Sequence, residues 1–159
     1  MKVKVWEEFN KKEKNFFSHP VYKKVFEKLV QHEPITEYVP SNKRKIEKII
    51  RDLGFTKYTI DTNSVRHIKG KYLHIGCNVQ FGHQTFFLKD MVYFQHLFNK
   101  GEISEVLYIC AGKYLFEGNK SKTSNLIFEN SKADLEIFKK IFTIPVIFYY
   151  IESWSNKYD

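Results

Sequence analysis

The sequence predicts an α/β fold, a mixed sheet of five to six strands flanked by helices on both faces, within one domain spanning residues 1–159. Three observations predict it. Before Gly54, two stretches repeat apolar side chains every three or four positions; from Phe55 the period drops to two; beyond Leu88, helical and strand-like runs alternate. The chain thus divides into a helical N-terminal part, residues 1–54, and a sheet core, residues 55–159. With 43% apolar residues, 15 Phe and 10 Tyr among 159, there is material for one large core.

Ser18-His19-Pro20, followed by Val21, Tyr22, Val25, Phe26, Leu29 and Val30, reads as a capped helix that ends before Pro34. Ser41 is placed to cap a second helix, with the apolar stripe Ile46, Ile49, Ile50 and Leu53 and with Gly54 as its stop. Three strands follow: Phe55 to Asp61, Ser64 to Ile68, and a central one from Tyr72 to Phe81, with turns expected at Asp61-Thr62-Asn63 and Lys69-Gly70-Lys71. Leu88 to Asn99 returns to helical spacing and stops at Gly101. Val106 to Ala111 is a buried strand, Ser131 to Asp134 resembles a capping box for a helix through Ile141, and Ile144 to Ile151 is a last apolar strand.

Charge narrows the partners. There are 26 Lys and Arg against 18 Asp and Glu, a net charge of +8 and a pI near 9.3, which favours a polyanion. Lys43, Arg44, Lys45, Lys48 and Arg51 cluster on the second helix, opposite its apolar stripe. A later segment, Lys113 to Asn125, adds Lys113, Lys120, Lys122 and Asn125. No run approaches the roughly 20 apolar residues of a membrane-spanning helix, and the charged start MKVKVWEEFNKK is unlike a signal peptide, so a cytoplasmic protein is expected. The two cysteines, Cys77 and Cys110, lie in apolar runs and suit reduced core thiols.

Several familiar chemistries are disfavoured. Gly112 to Ser121 imitates a phosphate loop, but five residues separate its glycines and Asn119 interrupts the Gly-Lys pair. The six histidines show no zinc-ligand spacing, and no nucleophile elbow is present. The unusual feature is Asn78-x-Gln80 inside an apolar strand: side chains two apart on a strand point to one side, where they can meet one ion or water, or form a polar surface row.

Asn78 to Gly82 (NVQFG), Leu88 to Ile109, the helix after Thr123 and the strand Ile144 to Glu152 together resemble the BglII/BstYI group of type II restriction endonucleases, as does Lys45 to Phe55. The resemblance implies a homodimer that acts on duplex DNA with Mg²⁺. In that group the catalytic strand bears Glu-x-Gln, with an Asp on the neighbouring strand. Here Asn78 stands at the glutamate position, and Arg66 or His67 near that of the aspartate. The resemblance carries over Gln80 for positioning the attacking water, with Asn78 and Asp61 as the remaining catalytic and metal-binding candidates. Asp61 is the acid best placed by sequence, ahead of Asp90 and Glu105. Two other readings compete: an inactive nuclease-fold module that only binds DNA, and a small basic α/β protein that binds RNA or a protein partner.

Overall fold

A computed structural model describes residues 1–10, 17–33, 39–61, 66–82, 84–112, 115 and 128–153. Its element order is β1 (Lys2–Phe9), α1 (Pro20–Gln31), α2 (Val39–Asp52), β2 (Thr56–Asp61), β3 (Arg66–Tyr72), β4 (Ile75–Gln80), α3 (Gln84–Asn99), β5 (Glu105–Ala111), α4 (Phe128–Ile137) and β6 (Val146–Ser153). The strands form one six-stranded sheet in the order β1-β6-β5-β4-β3-β2. The centre, β4-β5-β6, is parallel; β1 is antiparallel to β6, and β2, β3 and β4 form an antiparallel meander.

Side-chain alternation separates two cores. Cys77 and Val79 of β4, Leu107 and Ile109 of β5, and Ile147 and Ile151 of β6 face α1 and α2, where Val25, Leu29, Ile46 and Ile50 are buried. Val106, Tyr108, Val146 and Phe148 face the other way, against Phe87, Met91 and Phe94 of α3 and Leu135 of α4. The sheet is thus covered on both faces, as expected for parallel strands.

Several local expectations are corrected. The first strand lies inside the part expected to be helical: Val3 and Val5 pair with Ile151 and Tyr149, and the alternating Lys2 and Lys4 suit an edge strand. Lys69-Gly70-Lys71 is not a turn but part of β3. A Cβ at Gly70 would come within 2.8 Å of Phe55 Cβ, so the glycine serves close packing. The chain reverses instead between Tyr72 and Ile75, where Leu73 has φ 51°. His19, not Ser18, caps α1, its Nδ1 accepting from the Val21 N–H at 3.1 Å. The second helix starts before Ser41, and Ser131 is fully buried within α4 rather than at its start. Gly54 (φ +96°) and Gly101 (φ +72°) do stop α2 and α3.

Candidate active site

The C-terminal half of β4 meets the start of α3 at a cavity of about 420 Å³. Asn78 is 5% exposed, on the α3 side of the sheet. On α3, Phe87, Met91 and Phe94 dock into the core, and helical spacing carries Asp90 inward with them, leaving it 6% exposed. The amide nitrogen of Asn78 donates to Asp90 Oδ2 at 2.6 Å, and the Tyr108 hydroxyl donates to the same oxygen at 2.9 Å. The amide oxygen of Asn78 accepts from the Val79 N–H at 3.1 Å. Asn78 in this arrangement orients the carboxylate. Burial pushes the Asp90 carboxyl above the usual carboxylate range, and the bonds from Tyr108 and Asn78, with the charges of Lys89 and Lys43, pull it partly back.

Gln80 lies at the cavity's mouth. Its Oε1 accepts from the Lys43 ammonium at 3.3 Å and from the Gly82 N–H at 3.0 Å. Lys43 comes from α2 and is half-buried; burial lowers its pKa, as does Lys69, while Glu47 and Asp90 act in the opposite sense. Arg66, His67, Lys69 and Lys89 also line this cavity. A second cavity, of about 250 Å³, shares His67 and Lys69 and adds Arg51 and Lys57, with Glu47 opposing them. Among the described residues the first cavity sets Asp90 amid Lys43, Arg66, Lys69 and Lys89, a setting for an anion such as a phosphodiester.

The basic cluster of α2 therefore does not form one uniform face. Lys43 points into the first cavity, Arg51 lines the second, Arg44 is exposed, and Lys48 is tied to Asp52 at 2.6 Å. Lys45 is half-buried and its charge helps to lower the His32 pKa. Lys113, Lys120, Lys122 and Asn125 lie outside the described residues. Asp61 ends β2, paired through the backbone with Arg66, on the outer strand beyond β3; its side chain is likewise outside the description. Glu105 sits at the opposite end of the parallel strands, beside Ile75, where Oε2 accepts from the Phe17 N–H at 2.8 Å. Among the described residues, the carboxylate that reaches Asn78 is thus Asp90, which sequence order ranked below Asp61. Its signal was an acid on the apolar stripe of a helix.

A model of the restriction endonuclease BglII/BglIII family matches residues 5–148. The chain belongs to the BglII/BglIII family of restriction endonucleases. The fold agrees: the crystal structure of restriction endonuclease BglII complexed with a DNA 16-mer superposes with a TM-score of 0.78 at 13% identity, over 96% of this chain and 77% of that one. The structure of free BglII gives 0.67 at 18% identity, over 96% and 80%. No curated protein sequence matches. Membership of the BglII family agrees with the expected mixed sheet between helices. Among the described residues, no helix is long and apolar enough to cross a membrane.

The BglII family implies Mg²⁺. Among the described residues no group of three or more His, Cys, Asp or Glu side chains gathers to hold a metal. The residues present fit magnesium in a sparse form: Asp90 supplies one buried carboxylate whose bonds from Asn78 and Tyr108 both fall on Oδ2, and substrate phosphate and water would supply the rest.

Proposed function

We propose that the protein binds duplex DNA and hydrolyses its phosphodiesters, with Asp90 as the carboxylate of the site. The observation that carries this reading is the buried Asn78–Asp90–Tyr108 cluster, open to a cavity lined by Lys43, Arg66, Lys69 and Lys89. A lone carboxylate desolvated beneath an apolar helix costs stability, and a catalytic or ligand-holding task is a physical reason to keep one.

Hydrolysis forms a bond from a water oxygen to phosphorus and breaks one P–O ester bond; the water loses a proton to solvent and the departing oxygen gains one. Asp90 would hold magnesium, with Asn78 and Tyr108 fixing its rotamer. When bound, the ion would supply charge stabilisation at the phosphate oxygens. The cations around Asp90 draw the DNA backbone in, and Arg51 of α2, Lys57 of β2 and Lys69 of β3 extend the track around the second cavity. Lys113, Lys120, Lys122 and Asn125 are proposed to approach the grooves from the segment after β5. A two-fold homodimer, working in the cytoplasm, would present the same patch to both halves of a palindromic site.

The second reading, a binding module without hydrolysis, is favoured by one observation: Asn78 is neutral where the resemblance calls for glutamate. RNA stacking is disfavoured, because the sheet aromatics Tyr108 and Phe148 are fully buried beneath Phe87 and Phe94 of α3 and beneath α4. Incubation of long genomic DNA, which offers many sequences, with the protein in magnesium or in chelator decides between the first two. Discrete fragments only in magnesium support hydrolysis; retarded but uncut DNA in both supports the binding module.

A further inference from the structure

We propose that Lys43 is a catalytic residue of this site, its ammonium contacting the scissile phosphate, with Gln80 as the positioning residue that aims it. This deepens the hydrolytic reading and rests on it. In sequence Lys43 opens a run of basic residues and reads as one more surface charge. In the structure it leaves that run: α2 packs across the sheet face opposite α3, and the Lys43 side chain reaches the end of β4, into the cavity that holds Asp90.

The bonds of Gln80 specify its work. A carbonyl oxygen has two lone pairs, and Oε1 of Gln80 meets two donors, Lys43 Nζ at 3.3 Å and the Gly82 N–H at 3.0 Å. That oxygen is engaged in fixing the ammonium, not in holding water. Gly82 supports the same geometry, since a Cβ there would come within 3.0 Å of Gln80 Oε1 and push the amide away. One of the ammonium's three donors is turned to Gln80, and Lys43 lines the cavity to which the others are available. Burial and the neighbouring Lys69 lower the Lys43 pKa against Glu47 and Asp90, the condition of a cation that gains most when an anion docks. During attack the phosphate's non-bridging oxygens gather charge, and a preorganised ammonium stabilises it where water is excluded.

Two measurements test the assignment. The first follows the terminal carbon resonances of isotope-labelled lysine side chains as pH and duplex DNA are varied, with Lys43 assigned by its loss in Lys43→Arg. Lys43 should titrate below the usual lysine range in the free protein and move to higher pH with DNA. The second is cleavage of long genomic DNA in magnesium: Lys43→Gln should slow it on the order of 10²-fold with its melting temperature kept, and Lys43→Arg should recover part of the loss. Wild type that binds and never cuts overturns the hydrolytic reading. Wild type that cuts, with Lys43→Gln cutting equally fast and the Lys43 resonance unmoved by DNA, overturns the assignment of Lys43 alone.

Discussion

Asn78 of β4 donates its amide hydrogen to Asp90 of α3 across 2.6 Å, twelve residues on in sequence, so the two halves of a strand-helix unit share one buried polar contact. The strand position that the resemblance assigns to glutamate holds an amide, and a carboxylate arrives beside it from the following helix. The proposed site thus holds a carboxyl group beside the Asn78 amide, supplied by the helix and not by the strand.

Asp90→Asn should stabilise the fold at neutral pH. The folded-state pKa of Asp90 is raised, so its contribution to stability is complete below the ordinary carboxylate range and is lost as pH rises through the raised value. An amide at this position avoids that loss and can still accept from Asn78 and Tyr108. Thermal melts should show a gain of a few degrees at neutral pH that shrinks as the pH falls. A loss of several degrees at neutral pH would show that the ionised form is well accommodated.

Tyr108→Phe removes the hydroxyl that pulls the Asp90 carboxyl down, so the carboxyl should rise further. If ionised Asp90 is needed for cleavage, the acid limb of the pH–rate profile moves to higher pH, with little change on the alkaline side. Single-turnover rates across pH would check this, and an unshifted acid limb would detach that limb from Asp90.

Most of the architecture was legible because it is periodic. The buried strands β5 and β6 and the α2 stripe Ile46, Ile49, Ile50 and Leu53 announce themselves through spacing, and the glycine stops Gly54 and Gly101 through the positive φ that they alone adopt cheaply. β1 was missed because Lys2 to Phe9 is charged, and its reason for being a strand is β6, far away in sequence. Gly70 misled because a glycine required by close packing against Phe55 looks in sequence like a turn glycine. The site was half legible: Asn78 and Gln80 stood out as polar residues in an apolar strand, but Asp90 and Lys43 reach them only through the packing of α3 and α2, which spacing along the chain does not encode.

Asn78→Glu should make the protein depend on metal. It sets a second carboxylate against Asp90, and the repulsion should cost on the order of 1 kcal/mol or more in chelator. Magnesium or manganese should then raise the melting temperature more than in wild type, because a cation between paired carboxylates stabilises the folded state by linkage. Melts with and without metal test this; equal metal responses in the two proteins would argue against a cation next to Asn78.

Removing cations that line the second cavity should weaken DNA binding more than removing Lys48 from the exposed face of α2. Arg51 and Lys57 line the second cavity, whereas Lys48 is already partnered by Asp52. Arg51→Glu with Lys57→Glu should lower affinity and flatten its salt dependence by about one unit of slope per lost phosphate contact, with Lys48→Glu having the smaller effect. Binding isotherms over a salt series measure it, and a larger loss from Lys48→Glu would move the interface to the exposed helix face.

Whether Asp90 is the carboxylate of the site is decided by cleavage of long genomic DNA in magnesium by Asp90→Asn and Asp61→Asn, measured side by side with wild type. Asp90→Asn should lose on the order of 10²-fold or more in rate in a protein at least as stable as wild type, with Asp61→Asn near wild type. The reverse, full activity in Asp90→Asn and collapse in Asp61→Asn, would contradict that role for Asp90 and return the site to the acid that sequence order alone preferred.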